Sequence, residues 1–176
     1  MPSPTTVSLK FVYPAAKYHQ DSRTVTIYKQ DPEMEEPSEV YRFEHPSSGM
    51  AIGMTAFSKK NTNTGEWDRI GHIEWTSPLS GAISLGGNEM TIKDYRKVIN
   101  KTSTSRRFKY RGTEYKWKCS DHIKNNLYCV DAHDTVWAKW YHDKSVMKVT
   151  YNTEELLERF IVTVLLNVWF LQKEAW

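Results

Sequence analysis

The sequence predicts a mainly β domain: a closed antiparallel barrel of about twelve strands around a buried, hydrophobic C-terminal α-helix. Three observations lead there. From Phe160 to Leu171 the chain reads FIVTVLLNVWFL, with only Thr163 and Asn167 polar. Those two lie four residues apart and share one helical stripe, so the rest of the circumference is apolar and the helix is buried all round. The run is twelve residues, short of the ~20 that cross a bilayer. Almost everything before it reads as short, closely spaced strands. A barrel of about twelve strands is too wide for side chains alone to plug, since ~8 is the size they just fill. A helix fits the remaining hole.

The elements follow in order. Val7 to Tyr13 and Arg23 to Tyr28 are rich in β-branched and aromatic residues. Pro14 opens a loop through Tyr18 and His19 between them. Asp31 to Ser38, with two prolines and four acids, is a solvated loop. Glu39 to Glu44 and Met50 to Ser58 flank a turn at His45-Pro46-Ser47-Ser48-Gly49, and Lys59 to Gly65 is another polar turn. Strands are then expected at Glu66–Trp75, Ala82–Leu85, Glu89–Ile92, Arg106–Lys109, Glu114–Cys119, Leu127–Val130, Val136–Tyr141 and Val146–Tyr151. Gly86-Gly87 and Arg111-Gly112-Thr113 read as hairpin turns. Tyr95 to Asn100 fits neither strand nor helix clearly, and Lys101 to Ser105 is a polar loop. The helix is expected over 153–174, capped by Asn152 with Glu155 closing a capping box. Glu154 and Glu155 suit its positive end, and Lys173 suits its last turn.

The 176 residues point to one domain over 1–176. Seven Trp and ten Tyr mark the composition as globular. The net charge of +3 permits an anionic partner without demanding one, and no block of five or six like charges occurs. The opening MPSPTTVSLKFVY has no basic stretch leading into an apolar one, so a cytoplasmic protein without a secretory signal is expected. In that compartment Cys119 and Cys129 are expected as free thiols, and the sequon Asn100-Lys101-Thr102 as unused.

Three segments carry a family resemblance: Gly71-His72-Ile73-Glu74-Trp75; Ser105-Arg106-Arg107-Phe108 running through Gly112 to Glu114-Tyr115-Lys116-Trp117-Lys118; and Ile161 to Leu166 of the helix. Together they resemble a family of small proteins from mushroom-forming fungi. That family in turn looks like the tubby-like, scramblase-like (LURP-one-related) group of twelve-stranded barrels threaded by a C-terminal helix. The likeness spans residues 39–173 and implies the same architecture. It also implies a cytosolic binding module for anionic phospholipid or phosphoinositide headgroups. No binding residue is carried over from the group.

The densest basic stretch runs from Arg106 to Lys118, with Arg106, Arg107, Lys109 and Arg111 as the candidate anion-binding residues. They alternate with Phe108, Tyr110, Tyr115 and Trp117, which puts charge on one face and rings on the other. Read functionally, this is a face for an anionic membrane surface or a phosphorylated small ligand. Read structurally, it is a hairpin with its rings inward and its charges solvated. Nucleic acid is disfavoured, because base stacking needs the rings outside. His72 with Glu74, His133-Asp134 and His142-Asp143 are the pairs from which a hydrolase or nuclease centre would be assembled, yet none has a recognised ligand spacing. No metal or cofactor is expected. The spread of Trp and Tyr offers a sugar-binding alternative. Trp137 and Trp140, three apart on a strand, face opposite sides, so one is expected outside. The expected function is a non-enzymatic binding module, with lectin-like and histidine-dependent hydrolase roles as alternatives.

Overall fold

The structure, a computed structural model, describes residues 3–14, 21–46 and 51–176. Twelve strands form one antiparallel sheet: β1 (Thr5–Val12), β2 (Val25–Gln30), β3 (Ser38–Glu44), β4 (Gly53–Lys60), β5 (Trp67–Ser77), β6 (Ser80–Leu85), β7 (Asn88–Thr91), β8 (Arg106–Tyr110), β9 (Thr113–Cys119), β10 (Leu127–Val130), β11 (Val136–Tyr141) and β12 (Val146–Tyr151). Each matches an expected strand, with ends shifted by three residues at most. The expected loop at Tyr18 and His19, the Ser47–Gly49 part of the next turn, and Met50, expected to open the strand after it, lie outside the described residues.

The sheet order is β7-β6-β5-β4-β3-β2-β1-β12-β11-β10-β9-β8. It is two meanders, β1–β7 and β8–β12, joined by the pairing of β1 with β12. The hydrogen-bonded ladder is open rather than closed, because its two ends, β7 and β8, do not pair. The reason is local. Thr91 caps a short helix α1 (Ile92–Tyr95) through a reciprocal capping box with Asp94, so Ile92 leaves the strand it was expected to finish. This helix contacts β6, β7 and β8, and Lys97, two residues beyond it, exchanges backbone bonds of 2.9 Å with Arg107 of β8. The connection between the meanders thus occupies the seam.

Inside lies α2 (Glu154–Gln172), with every residue from Phe160 to Phe170 buried. The inner faces of β1–β6 and β8–β12 converge on it in one core, including Phe11, Phe43, Phe57, Trp117 and Trp140. The two polar residues of this buried run both find partners. Trp117 Nε1 donates to Thr163 Oγ1 at 2.9 Å, and Arg96 Nε donates to Asn167 Oδ1 at 2.8 Å. The N-cap is Thr153, one residue later than expected, bonded by the Leu156 amide. Glu155 closes no capping box, because its carboxylate accepts from the Tyr110 hydroxyl at 2.9 Å and from Arg111 at 3.1 Å. Lys173 caps the C-terminus and lies 4.4 Å from the Trp169 ring. Among the described residues, no helix is long and apolar enough to cross a membrane.

Candidate functional site

The β8–β9 hairpin turns on Arg111 and Gly112, both at positive φ (46° and 81°). That backbone matches the twist of paired strands and suits glycine. Gly86 and Gly87 make the corresponding turn between β6 and β7. Phe108, Tyr110, Tyr115 and Trp117 all point inward and are buried, so none is available for base stacking.

The four candidate cations do not form one patch. Arg106 shares its parity with Phe108 and Tyr110 and turns inward, only 8% exposed. Its expected place on an exposed patch is therefore corrected. Arg107 and Lys109 lie on the outer face, where Arg107 is paired with Glu114 at 2.7 Å. Arg111, at the turn, pairs with Glu155 at 3.1 Å. The Tyr110 hydroxyl and the Arg111 charge hold the Glu155 carboxyl below its ordinary value.

Register brings further cations to that outer face. Lys118 stands opposite Tyr128, Tyr128 opposite Lys139, Lys139 opposite Lys148, and Lys148 opposite Ser8. Neighbouring strands lie about 4.8 Å apart, so this row crosses five strands over roughly 19 Å. One step along, Arg107 stands opposite Lys116. Like charges directly opposite one another destabilise a sheet, and this face holds two such pairs, Arg107 with Lys116 and Lys139 with Lys148. Acidic neighbours are few: Glu114 is taken by Arg107, and Asp134 lies 3.9 Å from Lys118. The small net charge conceals this asymmetry. Residues 31–94, which supply β3–β7, hold eleven acids and five cations, whereas residues 95–151, which supply β8–β12, hold thirteen cations and five acids. A count of charge by segment finds the imbalance in the sequence, but the row itself requires the strand register.

The remaining candidates are dispersed. His133 and His142 sit in turns, with His133 amide bonded to Asp131 and His142 accepting from Trp140 Nε1 at 3.4 Å. His72 lies on the outer face of β5 and His45 is buried against Thr55, while His19 is outside the described residues. No group of three or more metal-ligating side chains gathers among the described residues. Cys119 and Cys129 are free. Trp140 is buried, and Trp137 is half-buried with its ring edge-on to the inward-facing Tyr115 at 5.8 Å and its Nε1 donating to Asp131 Oδ2 at 2.9 Å, so neither stands outside as expected. Burial alone would raise the Asp131 carboxyl, but this bond and those from the Thr135 and His133 amides bring it below its ordinary value. No tryptophan is exposed, and Trp67 is covered by Arg42 and Lys60.

The model of a family of unknown function, DUF6593, matches residues 17–167, and the chain belongs to that family. No curated protein and no solved structure matches the chain.

Proposed function

We propose that this DUF6593 protein is a non-enzymatic binding module of tubby-like type that docks its basic sheet face on an anionic membrane surface. The observation that carries the reading is the Lys118–Lys139–Lys148 row with its opposed like charges. Such pairing weakens an isolated sheet. An anionic surface relieves it, and each Lys or Arg near anionic lipid contributes about 1 kcal/mol of attraction. Arg107 and Lys109 extend the surface on β8, Arg111 adjoins it at the hairpin turn, and Arg106 takes no part. Twelve strands wrapped around α2, with α1 across the seam, support reading the sheet as a barrel of the tubby-like kind.

Vesicle co-sedimentation tests the proposal. The vesicles are phosphatidylcholine alone, or with phosphatidylserine, or with a phosphoinositide, at low and at ~150 mM salt. Binding is expected to the anionic vesicles only, and to weaken as salt rises. Selectivity among the anionic lipids would identify a headgroup preference. Failure to bind at low salt overturns the proposal. So does tighter binding to single-stranded RNA than to any vesicle, which would assign the face to nucleic acid.

A further inference from the structure

On the other side of β8, at the seam, two guanidinium groups are buried without a counter-charge. Arg96 is 7% exposed and Arg106 is 8% exposed. Arg96 uses its Nε on Asn167, stacks 3.6 Å from the Phe170 ring, and leaves a buried Nη2 with no acceptor. Arg106 uses Nη1 on the carbonyls of Ser103 and Ser105. Both guanidiniums lie over the Trp176 ring, at 5.5 and 5.1 Å. Neither has an ion pair among the described residues. Burial, then the neighbouring Arg106, lower the Arg96 group to about 9, which leaves it cationic at neutral pH. Two desolvated like charges lacking an anion are costly to a fold.

Both arginines line a cleft of about 680 Å³ between β6, α1, β8 and the turn after α2. That volume is in the range of small-ligand sites. Among the described residues, its only other charged lining residue is Lys93, also a cation. The remaining walls are mainly apolar, with Leu79, Ala82, Ile92, Val98 and Phe170. Leu79 and Val98 are 41% and 42% exposed, an apolar rim that folding leaves uncovered.

We propose that this cleft binds an amphipathic organic anion, a carboxylate or phosphate monoester on an apolar body, with its anionic end between Arg96 and Arg106. Arg96 Nη2 supplies the donor that the fold leaves unused, and the apolar body lies along Leu79, Ile92 and Val98. The site is separate from the basic outer face and does not depend on membrane docking.

Calorimetric titration of the full chain tests it. The probes are monomeric decyl phosphate and dodecanoate, with decanol, decylamine and inorganic phosphate as comparators. One saturable site for the amphipathic anions is expected, with each comparator weaker by about tenfold or more. Arg96→Gln should weaken decyl phosphate binding by about tenfold or more. Because that change also removes the Asn167 contact, Val98→Glu serves as a second variant. It adds a repelling charge at an exposed rim position that folding does not need. Lys139→Gln/Lys148→Gln should leave decyl phosphate binding unchanged, which separates this site from the outer face. Lysophosphatidic acid presented in phosphatidylcholine vesicles is the lipid-source arm. Uptake from vesicles assigns a lipid source and uptake of decyl phosphate alone assigns a soluble one, and either supports the proposal. The absence of saturable binding by every amphipathic anion overturns it. So does equal binding of decanol or decylamine, or full retention of binding by both Arg96→Gln and Val98→Glu.

Discussion

Replacing Lys139 and Lys148 with glutamine should raise stability and lower membrane binding in the same protein. The two are registered partners on β11 and β12 and both are exposed. Directly opposed Cβ atoms lie about 4.5–5.5 Å apart, and relief of a like-charge pair is worth about 0.2–1 kcal/mol. Neither lysine belongs to an ion pair among the described residues, and the attraction lost is limited to the exposed Lys148 ammonium 5.9 Å from the Tyr141 ring. In a chain of this size the gain corresponds to about 0.5–4 °C in Tm. On an anionic vesicle the loss of two cations removes about 2 kcal/mol, or roughly thirtyfold in affinity. Thermal melts followed by circular dichroism read the first effect, and vesicle co-sedimentation reads the second. Salt should shrink both differences, since both are screened. A Tm that falls, or vesicle binding that survives both substitutions, refutes the reasoning.

Two further outcomes follow from groups around α2. Thr163→Val leaves the buried Trp117 N–H without its acceptor, a loss of about 1–3 kcal/mol and so about 3–10 °C in Tm, read by thermal denaturation. An unchanged Tm would mean that this bond contributes nothing to holding the helix. Burial, and then repulsion from Glu154, raise the Glu158 carboxyl from 4.5 to about 7. The folded state therefore holds this proton more tightly than the unfolded chain does. The associated stability is complete below about pH 4.5 and is lost as pH rises to about 7. Glu158→Gln should remove this loss, so melts of the two proteins across that window should diverge with rising pH. Parallel curves would sink the assignment.

The strands were legible because their signals are local. Val136–Tyr141 and Val146–Tyr151 are β-branched and aromatic runs between turn residues, and they occur as expected. The helix was legible from a run with two polar residues, and both prove to face named partners. Its cap was misplaced by one residue because Asn152 and Thr153 are both competent caps. The choice depends on Tyr110 and Arg111, more than forty residues away, which claim Glu155. The open ladder was not legible, since the Thr91–Asp94 capping box hides in a segment that also reads as strand. Arg106 is the instructive error in the site. Strict alternation puts residues 106, 108 and 110 on one face, so the sequence already set it with the rings. Grouping cations by density obscured that parity. The Lys118–Lys139–Lys148 row draws on three strands, and neither composition nor spacing places those residues side by side.

The order of elements along the chain has a consequence for synthesis. All twelve strands precede the helix that supplies their common interior. A nascent chain that has emerged only as far as Tyr151 can pair its hairpins, but Trp117 then lacks both Thr163, its hydrogen-bond acceptor, and the Phe160 ring it packs against. Nor can β1 lose its open edge until β12 arrives, with more than a hundred residues between them. Such long-range pairing is slow, and it leaves sticky strand edges waiting. The nascent chain therefore presents a nearly complete sheet before α2 emerges to fill its core, and chaperone demand should peak in the interval between synthesis of β12 and synthesis of the helix.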